Sequence, residues 1–450
     1  MGFREFITSR LYRQQLSESW KRERPANLTP RQIAQLVPSL LNKDDRWEAW
    51  VTLEKNGRNT VPALVAALKD RRYHQIKVLE YILRLLVPFD ADVVEKTALP
   101  LIDSSDLETK QVASSALAEL GRDSHVELLK KLLTDPDGEV RSKVVWGIDT
   151  AIIEERASDE FRRRMYQPVL DQCNQCEQKW YWAANHAPEV LFRIDPVRAA
   201  FDLTDDRRLA VDNLVSDKVI SACHKNGIII AFERLKLLFE NSWPKSALPD
   251  HYHDESVICE AVRAMVRSDG LAARPYLDRA FDSEQKSIQK AAAEALAMLS
   301  GLDDPIRYVL EREEAVGLKN LTEPQRRLLY AKRFDWEICN GGIMQFFGNS
   351  TGNMTRETLE ALKCLAHPEA LAALEKAIEL IGPLAFEKNR DQRLTAFEGR
   401  FDELQAAFDP LEEAFYKANG RFTQCVMQYA IQHRADFVDG ENSTAACTTA

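Results

Sequence analysis

The chain has 450 residues, 45% apolar and 29% charged, with a formal net charge of −10 and only 17 Gly and 18 Pro. That length exceeds what one hydrophobic core usually holds, so several modules or a repeat array are expected, and the scarcity of turn formers argues against a many-stranded sheet. Residues 302–441 hold 24 acids and 17 bases, a net of −7, which disfavours direct nucleic-acid binding because that affinity comes from Lys and Arg displacing counterions.

Residues 1–26 read as an N-terminal helical extension. Arg4, Glu5 and Arg10 stand where a secretory signal needs an apolar core, and the eight cysteines are scattered. The most apolar run, Gly227 to Phe239, is broken by Glu233, Arg234 and Lys236 and falls far short of the roughly 20 residues that cross a bilayer. The expectation is a cytoplasmic protein without a membrane segment.

From residue 57 onward the chain repeats. Segments beginning at Leu68 with Asp70, at Leu101 with Asp103 and at Leu133 with Asp135 align at spacings of 33 and 32 residues, and a fourth copy begins at Phe281 with Asp282. Each copy is an apolar helix, an Asp-containing turn and a second helix with a small residue at one place: Ala116, Gly147 and Ala295. Small residues there let stacked helices approach closely, and a helix pair that cannot bury its own apolar face must stack on its neighbours. The segment DPDGEVRSKVVWGI resembles the HEAT-repeat family, in the short variety shared with phycobilisome-lyase-type repeats. The resemblance implies an all-α chain, a HEAT-like α-solenoid over residues 27–301, followed by a small helical domain.

Three clusters invite a chemical reading. Arg162, Arg163 and Arg164 precede Cys173, Cys176, Trp180, Tyr181, Trp182 and His186, a mixture of cations and aromatics able to stack on bases. It supports the competing reading of a HEAT-type DNA glycosylase for alkylated bases, whereas packing and a solvated face account for the same residues. Cys173 and Cys176 form a lone CxxC, short of the four ligands of a structural zinc site. His251 and His253, with Asp250 and Asp254, form a second incomplete set. No cofactor and no metal are expected, and no catalytic residue is assigned.

Residues 302–320 form a charged connector. A helical domain is expected over 321–438, followed by a disordered tail at 439–450. Thr322 and Gln325 have capping-box spacing. Helices are expected through about 338, as a short piece after Gly342 ended by Gly352 as a C-cap, and at about 355–365, 368–381, 391–416 and 421–434. Gly341, Gly342, Phe346, Phe347 and Gly352 read as a structural joint: glycines for close approach, aromatics as an anchor, and Asn340, Gln345 and Asn349 satisfying backbone groups.

The stretch WEICNGGIMQFFGNSTG, the small-residue-rich helices after it and the late FDELQAAFDPLEEAFYK resemble the C-terminal domain of the DNA mimic protein family, a domain of unknown function in most relatives. The resemblance rests on Glu337, Asn340, Gly341, Gly342, Gln345, Phe346, Phe347, Asn349, Ser350, Gly352, Leu411, Phe415 and Tyr416. It implies a non-catalytic protein that binds a basic DNA-binding protein. The candidate contact residues are Glu337, Asn340, Gln345, Asn349, Asp402, Glu403, Glu412 and Glu413.

Overall fold

The computed structural model describes residues 27–174, 181–205, 208–210, 215–246 and 252–439; all its regular elements are helices. The chain divides into two compact units, Met1–Arg208 with Asp212–Ala222, and Leu209–Val211 with Cys223–Ala450.

The first unit begins with α1 (Pro30–Leu36), α2 (Arg46–Asn56), α3 (Val61–Ala67) and α4 (Ile76–Leu86). It continues through α5 (Ala91–Ala98), α6 (Leu107–Glu119), α7 (Val126–Leu132) and α8 (Gly138–Ile153). After these come α9 (Asp159–Gln172), α10 (Tyr181–Ile194) and α11 (Pro196–Leu203), and α12 (Ser216–Lys225) runs into the division between the units.

The turn acids of the repeat explain where its helices start. Asp106 and Asp137 sit at the N-caps of α6 and α8, each accepting a backbone N–H from the first turn and so satisfying a donor the helix cannot. Asp135 is nearly buried. It accepts the Asp137 amide at 2.9 Å and pairs with Lys110 on α6, tying one helix pair to the one before.

The small residues set the spacing. A Cβ on Gly147 would lie 2.6 Å from the Ala118 Cβ and 2.7 Å from the Ser115 carbonyl oxygen, so α8 rests on α6 where no larger residue fits. Ala116 and Ala295, at the equivalent place in their copies, are buried.

The second unit contains α13 (Phe232–Ser246), α14 (Tyr252–Ser268), α15 (Gly270–Phe281), α16 (Lys286–Leu299) and α17 (Pro305–Val316). It ends with α18 (Glu323–Gly348), α19 (Thr355–Leu365), α20 (Pro368–Ile381), the short α21 (Arg390–Leu394) and α22 (Phe401–Gln432). The two helices expected at 391–416 and 421–434 differ from the structure, in which the short α21 is followed by one helix from Phe401 to Gln432. Gly420 does not end a helix. It is the point where α22 crosses α16, with room for no Cβ: one would lie 3.0 Å from the Lys286 Cα and 2.2 Å from the Gln289 side-chain oxygen.

Beside that crossing Gln424 donates to the Phe281 carbonyl at 2.7 Å. Ala293 and Ala297 of α16 therefore belong to the same core as Phe334, Phe346, Phe415 and Phe422. The fourth repeat copy and the C-terminal helices share one hydrophobic cluster, and the 302–320 connector lies inside this unit.

Gly147→Val and Gly420→Val are each expected to destabilise their unit by about 1–3 kcal/mol through overpacking, measured by chemical denaturation. Lys131→Ala, at an exposed position, should stay within about 0.5 kcal/mol. Equal stability of all three variants would contradict the close helix crossings.

Candidate partner-binding surface

The residues the sequence singles out cluster around a break in α18. Thr322 and Gln325 form the expected capping box at its start, and the helix is interrupted at Gly341 and Gly342. Gly341 has φ −177°, extended backbone open to any residue. Gly342 has φ 77°, the left-handed region that glycine enters without penalty, and a Cβ there would fall 2.3 Å from a Glu412 oxygen. One of the two glycines is therefore demanded by geometry.

The break leaves backbone groups that α22 satisfies. Ile343, the first residue after it, donates its amide to the Glu412 carboxylate at 2.7 Å. Tyr416, one turn further along α22, donates its hydroxyl to the Ile338 carbonyl at 2.7 Å. Residues four apart on a helix share a face, so one stripe of α22 closes both broken ends.

Beyond the break, a carboxylate and a guanidinium hold the chain. Glu337 accepts from Gln345 at 2.6 Å, Asn349 at 2.8 Å and Thr351 at 3.0 Å. Arg393 is fully buried and donates to the Phe347 carbonyl at 2.6 Å, the Asn349 carbonyl at 2.8 Å, the Asn353 side chain at 2.9 Å and the Glu387 carbonyl. Gly352 lies under this guanidinium, where a Cβ would be 2.7 Å from Nε. The helix itself ends at Asn349, so Gly352 makes room for Arg393 and is no C-cap. Gln345 and Asn349 turn their amides to Glu337, where the sequence led us to expect backbone partners. Phe346 and Phe347 are buried, packed edge to face on each other and, through Phe346, on Phe334.

His367 is a third buried polar group that the sequence did not mark. It caps α20, its Nδ1 accepting the Ala370 amide at 3.1 Å, which leaves Nε2 to donate to the Ala418 carbonyl at 3.3 Å. Burial holds its pKa below the ordinary histidine value.

The surface of α22 is different. Asp402, Asp409 and Glu413 are exposed, and their spacings of seven and four residues put them on one stripe about 16 Å long. Asp402 makes no ion pair among the described residues, and Asp409 accepts only the Gln405 amide, at 2.7 Å. Glu413 pairs with Lys417 at 2.7 Å and Glu403 with Arg400 at 2.9 Å, and those hydrogen-bonded cations hold both carboxyls below the usual range. Phe401 is 45% exposed beside them. Of the eight expected contact residues, Asn340, Asp402, Glu403 and Glu413 face solvent. Glu337, Gln345, Asn349 and Glu412 spend their polar atoms inside the joint.

The three upstream clusters are only partly covered by the described residues. Arg163 pairs with Glu160 at 2.6 Å and Arg164 with Glu127 at 2.8 Å, while Arg162 is half-buried. Cys173 is buried, its thiol pushed up to about 12 by that burial, whereas His186 is exposed. Cys176, Trp180, Asp250 and His251 lie outside the described residues, as do the side chains of Tyr181 and Trp182. His253 is half-buried next to the buried Asp254. Among the described residues no group of three or more His, Cys, Asp or Glu is placed to hold a metal ion.

Residues 319–433 match the model of the DMP19-like protein family, a span that begins just before α18 and ends with α22. It covers 115 of 450 residues. No curated protein matches the chain.

Gly342→Val, which forces a side chain onto the Glu412 carboxylate at a positive φ, is expected to cost more than about 1 kcal/mol in urea unfolding. Arg393→Met leaves several buried acceptors without donors and should cost about 3 kcal/mol or more. A loss below 1 kcal/mol in both would contradict the joint.

His367 gives a pH signature. Because its folded pKa is lowered, the fold favours the neutral ring. Its contribution is complete above the ordinary value of 6.5 and drains away as pH falls from there toward the lowered folded pKa. Asn keeps a capping oxygen, so His367→Asn should flatten the fall in stability between about pH 7 and pH 5. An unchanged slope would remove His367 from the account.

Proposed function

We propose that this chain binds a basic DNA-binding protein through the acidic face of its C-terminal helices, and does so without catalysis. The observation that carries the reading is the solvent-facing stripe of Asp402, Asp409 and Glu413, within the region that matches a DNA-mimic family. Three carboxylates over about 16 Å are sparser than the phosphates of either strand of duplex DNA, which advance about 3.4 Å per charge along the axis. Charge alone steers a basic partner toward this face. Exposed Phe401 supplies the apolar contact that charge lacks, as buried aromatic anchors do in tight interfaces.

The helix pairs of the first unit, which we read as HEAT-like, fit a protein-binding role. No described helix is long and apolar enough to cross a membrane, and we place the encounter in the cytoplasm. Two of the three arginines behind the glycosylase reading, Arg163 and Arg164, pair with Glu160 and Glu127, which favours the solvated-face account.

The test compares wild type with a double variant, Asp402→Lys with Asp409→Lys, as bait in lysate of the native host, followed by titration of the captured protein. Both substitutions are on exposed positions, so circular dichroism and melting should not change. The expected result is a basic DNA-binding protein whose affinity for wild type falls steeply with salt and drops at least tenfold, about 1.4 kcal/mol, in the variant. Binding indifferent to salt and to both reversals would contradict the proposal.

A further inference from the structure

The second unit contains a cleft of about 660 Å³, within the size range of small-molecule sites. Its walls come from the end of α12 and from α14, α16, α17, α18 and α22. Six cationic side chains line it: Lys225, Arg263, Arg267, Lys290, Arg307 and Lys332. Only three acids accompany them, Glu294, Asp303 and Asp304. Four of these cations, Lys225, Arg263, Arg267 and Lys290, precede the acid-rich stretch 302–441, and Arg307 and Lys332 come from within it.

The pairing inside the cleft is uneven. Arg263 is held by Glu294 at 2.7 Å and Glu260 at 2.9 Å, Arg307 by Asp303 at 2.7 Å, and Lys332 by the buried Asp335. Asp304 spends its carboxylate on the Ile306 and Arg307 amides as the N-cap of α17. Arg267 donates to the His224 carbonyl at 3.0 Å and has Asp303 only at 3.7 Å. Lys290 is exposed and makes no ion pair among the described residues. His224 reports the same field: burial first, then Arg267 and Arg263, bring its pKa to about 4.

The remaining wall is apolar. Trp336 is 36% exposed at the cleft, with Lys332 5.7 Å from its ring centre, and Met298, Ile306 and Met427 lie alongside. Lys290 and Arg267 are the cations here without a close carboxylate, so an anion between them would gain charge pairing, and Trp336 offers a face on which a planar ring stacks. From the lining and the volume we infer that this cleft binds a small phosphorylated ligand carrying a planar ring, of the nucleoside phosphate class. Lys290 and Arg267 contact the phosphates and Trp336 the ring.

Calorimetric titration of the full chain with ADP, inorganic pyrophosphate and adenosine tests this. ADP is expected to bind saturably, pyrophosphate more weakly, and adenosine not measurably. Lys290→Glu should weaken ADP at least tenfold with an unchanged melting curve. Trp336→Ala should weaken ADP and leave pyrophosphate unaffected. Absence of saturable ADP binding at about 1 mM, which is only about 4.1 kcal/mol of affinity, overturns the site. ADP binding that is equal in Lys290→Glu also overturns it. Equal affinity for ADP and pyrophosphate, or indifference to Trp336→Ala, overturns the ring contact. Binding of duplex DNA that Lys290→Glu abolishes, without ADP binding, assigns the charge to a macromolecule and overturns the small-ligand reading.

Discussion

The contact between the Glu412 carboxylate and the Gly342–Ile343 backbone governs the C-terminal helices. A helix that breaks in the middle must find partners for the amides that open at its new start. Here the partner comes from 69 residues away in the chain. A hydrogen bond to a charged acceptor is stronger than a neutral one, and leaving the amide buried and unbonded would cost about 1–3 kcal/mol. The carboxylate fits only because Gly342 has no Cβ. The direction of the segment after the break then fixes where Phe346 and Phe347 enter the core, and where Gln345, Asn349 and Thr351 meet Glu337.

This arrangement divides the acidic residues into two populations. Glu337 and Glu412 are part of the framework, their oxygens filled by protein donors. Asp402, Asp409 and Glu413 stand on the outer face of the helix that carries Glu412 and are available to solvent. A net charge counts both populations alike, although the second is the more exposed to solvent. The cleft draws its least paired cations from outside the acid-rich stretch 302–441: Lys290 is exposed without an ion pair among the described residues, and Arg267 has Asp303 only at 3.7 Å.

Much of the architecture was legible from local pattern. Gly147 marked a close helix contact, and Thr322 with Gln325 marked the capping box, a feature in which cause and effect lie within a few residues. The single helix through Gly420 was not legible because a glycine reads equally as a break or as a crossing point, and only the neighbouring α16 decides. Arg393 carries no local sign of its burial. Its acceptors lie 40 and more residues upstream, apart from Glu387, and no local periodicity carries that information. The joint bonds of Glu412 and Glu337 reach residues that local pattern does not link to them, and His367 left no trace beyond standing before a proline.

The central claim is that the acidic face occupies a DNA-binding surface. Mutual exclusion tests it most directly. With the captured partner bound to labelled duplex DNA, increasing amounts of this chain should release the DNA at the concentration at which the protein complex forms, and no ternary complex should be detectable. A stable complex of partner, DNA and this chain together would contradict the account, because a surface occupied by DNA cannot also be the one that binds the acidic helices.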